Sequence, residues 1–463
     1  MSSVKKPNII LINCDDLGYG DLQCYGSTCN DTPHVDKLAS EGMLFTDFYV
    51  SSPVCSASRA SLLTGCYSQR VGMADYQVLT PGQAQGLHPD ELTIADQLKS
   101  VGYDTKIVGK WHCGDQPEFF PTENGFDEYF GLPYSNDMGR QVKHLDQAPL
   151  PLMRNDEVVE QQPDQRGLTE RYVDECREYI SRDRENPFFL YLAHMYVHVP
   201  LFVPDRFLRQ SRNGAYGGAV ACIDWAMGEI DAELKRLGIF DDTLLIFMSD
   251  NGSRARGEGG SNGGLRGLKG ETWEGGQRVP FIVRWPGQVD AGQTCEDILT
   301  AMDVFATLSE ISGADMPSDV TLDSVSAAGA LLRGESTGRE TFAYYKDADL
   351  EAVRVGDWKL HFCKTTRANG HNTQAVINEL YNLRTDVSES QNVYDDHPEV
   401  VADLQKFADA TRAKFGDGRL GVEGEEIRPM GVVENPVKLT TFDASHPYFV
   451  AYYDLADMPV MAG

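Results

Sequence analysis

The sequence predicts an α/β protein: a large, mostly parallel sheet with helices on both faces, followed by a smaller α+β unit. Three observations predict it. Short apolar runs alternate with segments of helical period along the first 340 residues. Those runs are rich in Ile, Val, Leu and Phe and too short for buried helices, as central strands are. After about residue 340 the pattern changes to a hairpin, a further short strand and one amphipathic helix.

The strand runs are 8–13, 105–109, 188–194, 243–249 and 280–285. Between them, Glu91–Val101 places Leu92, Ala95, Leu98 and Val101 on one face, and Leu168–Ile180 repeats Tyr172, Val173, Cys176, Tyr179 and Ile180. Ala219–Leu237 continues with Ile223, Met227, Ile230 and Leu234, and Gly238 is its stop signal. Residues 1–340 form the expected catalytic domain and 341–463 the smaller one. In the latter, Glu351–Phe362 reads as a hairpin turning at Gly356-Asp357. Glu379–Leu383 reads as a strand and Pro398–Phe415 as a helix. The proline-punctuated tail from Gly416 is irregular, and its aromatic residues are expected to pack back on the body.

The chain has 463 residues, 41% of them hydrophobic, with 41 basic and 70 acidic side chains. Such an acidic surface repels nucleic acid and anionic lipid, so neither is an expected partner. The first strand begins almost at the N-terminus and no apolar run reaches membrane-spanning length, so a cytoplasmic location is expected. Ten scattered cysteines without paired spacing read as mostly buried thiols.

Four strand runs end in, or lead into, metal- or anion-binding residue types: Asp15-Asp16, Lys110-Trp111-His112, His198-Val199-Pro200 and Asp250-Asn251-Gly252. In open α/β sheets ligands bind outside the carboxyl ends of strands, so these groups should converge. Asp15, Asp16, Asp250 and Asn251 are four hard oxygen donors, a set that suits Ca²⁺ or Mg²⁺ better than Zn²⁺. Asp-Asp as a helix cap and Asp-Asn-Gly as a turn are the plainer alternatives, each about as good when either motif is taken alone. Cys55 opens a short helix ending at Gly65, where amides and dipole favour an anion, with Arg59 one turn on.

The run Cys55-Ser56-Ala57-Ser58-Arg59 resembles the Cys-x-Pro/Ala-x-Arg signature of the type I sulfatases, in which the cysteine is oxidised to formylglycine. The resemblance continues in order along most of the chain: Gly109-Lys110-Trp111-His112, His198-Val199-Pro200, the Leu268–Gly276 segment holding Lys269, and Gly131–Asp137 holding Ser135. The last is similar to the arylsulfatase A and N-acetylgalactosamine-6-sulfatase branch. Glu379–Leu383 with His397-Pro398-Glu399 is similar to the family's C-terminal unit.

The resemblance implies an alkaline-phosphatase-like fold and hydrolysis of a sulfate monoester, aryl or carbohydrate, through a formylglycine hydrate and a sulfoenzyme intermediate. It implies calcium (magnesium as the alternative) on Asp15, Asp16, Asp250, Asn251 and the modified Cys55. Arg59 would hold the hydrate, Lys110 and Lys269 would neutralise sulfate oxygens, His198 would protonate the leaving group and His112 would serve as base. Ser135, Arg140 and His144 are the candidates for substrate contact, with Lys143 and His371 beside them; for Ser135, contact with a site histidine or packing behind the site are the alternatives. A sulfatase-maturating enzyme is implied as a partner in biogenesis. Ala57 stands where that enzyme's common oxygen-dependent form prefers proline; in the family, alanine goes with the radical S-adenosylmethionine type. His194 reads as a core or rim residue, and His34, His88, His361 and His397 as surface or turn residues. The rivals are a phosphodiesterase or phosphonate monoester hydrolase of the same superfamily, and a non-catalytic metal-stabilised binding protein in which Cys55 stays a thiol.

Overall fold

A computed structural model describes residues 6–140, 147–368, 371–446 and 448, without the side chains of 366–368 and 371–373. The main sheet comprises β1 (Asn8–Cys14), β2 (Met43–Phe45), β3 (Asp104–Lys110), β4 (Glu128–Leu132), β5 (Pro151–Arg154) and β6 (Glu157–Gln161). It continues with β7 (Phe188–Ala193), β8 (Thr243–Ser249), β9 (Phe281–Arg284) and β10 (Gln293–Cys295). Across the sheet the order is β10, β2, β9, β8, β1, β7, β3, β4, β5, β6. The five central strands from β8 to β4 are all parallel. Antiparallel pairs flank them, β8 with β9 on one side and β4 with β5 on the other.

Alternation along the strands builds two cores. Ile9 and Leu11 of β1 face the helices α1 (Cys55–Thr64), Ile94–Lys99 and Asp303–Ser312. Ile10 and Ile12 face the other way, onto α2 (Leu168–Ile180) and α3 (Gly214–Leu237). Fully burying each such side chain contributes about 1.5–3 kcal/mol, so both faces must be covered. The expected helix at 91–101 is shorter, because Thr93 and Asp96 form a reciprocal capping box that starts it at Ile94.

The run at 280–285 is a strand, but it enters antiparallel. Four strands of the sheet's flanks, β2, β5, β6 and β10, and the central β4 lie outside the expected runs. A second, four-stranded antiparallel sheet follows: β11 (Thr341–Lys346), β12 (Asp349–Val355), β13 (Trp358–Ala368) and β14 (His371–Asn382). Its β12–β13 turn has Gly356 at φ 56°, as the hairpin reading requires. Helix α4 (Pro398–Phe415) packs on it. Beyond Gly416 the tail returns to the main body: Gly431–Val432 pairs with Gln85–Gly86, and Val437 exchanges backbone bonds with the Gln116 side chain; of the aromatic residues expected to pack back, Phe449, Tyr452 and Tyr453 lie outside the described residues.

All ten cysteines are free thiols, seven of them buried. Among the described residues no helix is long and apolar enough to cross a membrane. His361 is a correction to the sequence reading. It is wholly buried rather than at the surface, stacked 4.0 Å from the Trp273 ring, because the 266–277 loop covers that face of β13.

Candidate active site

The parallel register brings the strand ends together. Cys14 is level with Ser249, so Asp15-Asp16 and Asp250-Asn251 leave adjacent strands side by side. The Asp250 amide donates to the Cys14 carbonyl and the Asp15 amide to that of Tyr196. Asp16 and His112 both sit at φ 62°, a left-handed conformation that L-residues pay to adopt and that clusters at functional sites.

Every described residue expected to act on the reaction is at this end of the sheet. Ligand atoms of Asp15, Asp16, Cys55 and His198 all lie within 4.8 Å of one another. Lys110 Nζ donates to Asp15 Oδ2 at 2.6 Å and lies 3.5 Å from Ser135 Oγ. Ser135 Oγ is in turn 3.5 Å from His198 Nδ1. Lys269 Nζ lies 2.6 Å from Asp16 Oδ1, and Asn251 donates to the same oxygen at 2.7 Å. Arg59 binds Asp250 through Nε at 3.0 Å and donates to the Lys110 carbonyl at 3.0 Å. His112 Nε2 faces the Leu79 carbonyl at 2.9 Å, leaving its buried Nδ1 without a partner.

Electrostatics follow from burial against three carboxylates and three cations. Burial alone would raise the Asp15 carboxyl, but Lys110, His198, Arg59 and Lys269 hold it well below the usual range. Burial, with Asp15 beside it, lifts Asp250 to about 6 against the pull of Arg59. Burial raises the Cys55 thiol to about 11 despite Lys110 and Lys269, so the residue as translated is a poor thiolate nucleophile. Burial, then Lys110 and Arg59, pushes His112 far down and keeps it a neutral base. Burial and Lys269 lower His198, with Asp16 and Asp15 opposing.

The donor set fits a hard divalent cation. Asp15, Asp16 and Asp250 are buried carboxylates, and the buried Oδ1 atoms of Asp15 and Asn251 have no hydrogen-bond partner. The three carboxylates balance Arg59, Lys110 and Lys269, so a cation there would leave the pocket net positive, as an anionic ester requires.

The substrate-contact candidates fare differently. Ser135 is within the cluster. The Arg140 guanidinium instead lies 3.9 Å from the Phe442 ring. Lys143 and His144, and the side chain of His371, lie outside the described residues. His194 is a buried core residue, accepting the Tyr196 amide at 3.0 Å.

Sequence reasoning missed how Lys269 is held. Lys359 of β13, wholly buried, donates to the Thr272 carbonyl at 2.9 Å and to Glu274 at 3.0 Å, and pairs with Glu389 at 2.8 Å. Glu389 in turn accepts the Glu274 amide at 2.8 Å. The Lys269 loop is thereby bonded to the second sheet, and through the Gly270 amide and Pro53 carbonyl to the approach to Cys55. No local pattern marks Lys359, one of two lysines in its strand.

The chain matches the family Sulfatase over residues 7–314 and the C-terminal region of aryl-sulfatase over 337–426. It is 39% identical over 382 residues to N-acetylgalactosamine-6-sulfatase of Sus scrofa, covering 78% of this chain and 73% of that protein. It is 38% identical to arylsulfatase A of Homo sapiens, covering 81% and 78%. The crystal structure of Ps i-CgsB in complex with k-i-k-neocarrahexaose superposes with a TM-score of 0.77 at 30% identity, over 88% of this chain and 92% of that one. These likenesses favour sulfate over phosphonate esters, and the chain belongs to the sulfatases, the sulfuric ester hydrolases.

Proposed function

We propose that the chain hydrolyses a carbohydrate sulfate monoester, with Cys55 converted to formylglycine by a maturating enzyme and calcium held by Asp15, Asp16, Asp250 and Asn251. The observation that carries this reading is the convergence of Asp15, Asp16, Cys55 and His198 within 4.8 Å, ringed by Arg59, Lys110 and Lys269. When bound, the cation would supply Lewis acidity toward the oxygen of the modified residue and the sulfate. The sugar preference is supported by N-acetylgalactosamine-6-sulfatase among the relatives and by the oligosaccharide in the Ps i-CgsB structure.

The chain's own groups divide the remaining work. Lys110 and Lys269 face the sulfate oxygens and offset the charge that develops on them. Arg59, wholly buried, fixes the start of α1 against Asp250 and the Lys110 carbonyl, and so holds residue 55 in place. His198 protonates the departing sugar oxygen. An anionic sulfate beside His198 raises its pKa, which offsets burial and lets substrate binding charge the acid. His112, neutral and with Nδ1 free, takes up the proton needed for sulfate release.

The test is mass spectrometry of the tryptic peptide ending at Arg59, together with turnover by Cys55→Ala. Formylglycine in the active protein and turnover lost by many orders of magnitude in the variant are expected. An unmodified cysteine in a fully active protein would sink the proposal.

A further inference from the structure

A cavity of about 310 Å³ lies against the outer wall of the site. Two of the four segments that line it continue directly into residues that touch the catalytic cluster. Thr80 and Pro81 follow Leu79, whose carbonyl faces His112. Tyr134, Asp137 and Met138 flank Ser135, which lies between Lys110 and His198. Gln147-Ala148 is the third, and the fourth is the tail, Lys438–Thr440, pinned by Val437 to Gln116 and by the Thr440 hydroxyl to the Pro149 carbonyl.

The lining mixes carbon faces with polar and charged groups, among them the Asp137 carboxylate, whose charge acts on His198. Pro81, Tyr134, Met138 and Leu439 present carbon faces. Lys438 brings an ammonium group, its stem lying over Gly82, where a Cβ would come within 2.8 Å of Lys438 Cγ. Lys438 is exposed and makes no ion pair among the described residues, in a chain of net charge −29 whose other site cations are committed to carboxylates. The buried Oε1 of Gln147, another lining residue, has no hydrogen-bond partner. Apolar faces with a few polar groups are the composition of small-molecule sites, and the volume is at the lower end of their roughly 300–1,000 Å³ range. That is room for about one sugar ring and its substituents.

The geometry points to this cavity as the binding site for the sugar unit adjoining the sulfated one, with Lys438 pairing an anionic substituent, a carboxylate or second sulfate, on that unit. The assignment rests on the carbohydrate-sulfate reading above. The carbon faces cover the ring's C–H surface, and Lys438 selects charged glycans over neutral ones. The tail thereby contributes to specificity, although it lies far along the chain from the catalytic motifs.

The test compares three substrates on matured wild type, Lys438→Ala and Lys438→Glu: nitrophenyl sulfate, the sulfated monosaccharide turned over best, and the disaccharide linking that sugar to a uronate. Wild type should favour the disaccharide over the monosaccharide in kcat/KM. Lys438→Ala should lower kcat/KM for the disaccharide by about three- to fivefold, the scale of a partly exposed ion pair. Lys438→Glu should lower it further, and neither variant should change the other two substrates or the melting temperature. Unchanged disaccharide turnover in Lys438→Glu, or equal losses on all three substrates, would overturn the assignment. Turnover of nitrophenyl sulfate with none of either sugar would instead overturn the carbohydrate reading, and this site with it.

Discussion

Replacing Lys359 by Met tests whether the second sheet sets the position of Lys269. Methionine keeps the apolar stem and removes only the ammonium, which bonds the Thr272 carbonyl, Glu274 and Glu389 with no exposure to solvent. The two carboxylates would be left facing each other in the interior. Removing one partner of such a buried pair costs about 3–5 kcal/mol. A chain this long unfolds with an entropy of roughly 1 kcal/mol per kelvin, so melting as one unit should fall by about 3–5 °C.

The deficit should depend on pH. Burial, with Glu274 alongside, raises Glu389 to about 7 even with Lys359 present. A carboxyl whose folded pKa is raised contributes stability at low pH and loses it as pH rises through that value. Without Lys359 the value climbs further, so the melting difference should be larger at pH 8.5 than at pH 5.5, where the loss of the Lys359–Glu274 pair alone remains. Melting within a degree of wild type at pH 8.5 would refute the energetics. Function supplies the second arm. Lys359→Met should lower kcat/KM about tenfold, an offset of about 1.4 kcal/mol, and should cost nothing more in a Lys269→Ala background. Losses that multiply would show that Lys359 does not act through Lys269.

Other outcomes follow from the site. His198→Ala should lose about 10²–10⁴-fold on a sugar sulfate and far less on nitrophenyl sulfate, whose leaving group needs no proton; equal losses would place the acid elsewhere. His112→Ala should slow sulfate release similarly for both substrates, read as a reduced steady-state rate that follows an undiminished burst of nitrophenol. A chelator should abolish turnover and calcium restore it, while Asp250→Asn should weaken calcium binding in calorimetry and turnover together. Full activity of metal-free protein would remove the cation from the account.

The parts legible in the sequence are those where local pattern and tertiary role coincide. β1, β3, β7 and β8 are buried on both faces, so their composition alone declares them. Their polar ends declare the site, because the residue after a central strand has one place to go. Cys55 at a helix start ending in Gly65 was legible for the same reason. The edge strand β10, Gln293-Thr294-Cys295, has no such composition, because only one neighbour and partial burial hold it. β4 carries Glu128 and Gly131 within five residues; the glycine is there because a Cβ would meet the Gly109 carbonyl at 1.8 Å. His361 was misjudged because both faces of β13 are covered, the second by a loop ninety positions earlier that no local window contains.

The free thiols have a consequence for how the protein ages. Burial raises Cys113, Cys176 and Cys363 to about 12, so in the native state these three offer almost no thiolate for exchange or alkylation. An opened chain recovers ordinary sulfur reactivity at every one of these positions at once. Air oxidation should therefore spare these three thiols in folded molecules while cross-linking them in those that have opened, turning a brief excursion into a permanent loss. Loss through these positions would then track the frequency of opening rather than the amount of oxidant, and a slow alkylating reagent, read at their peptides, would serve as a clock for it.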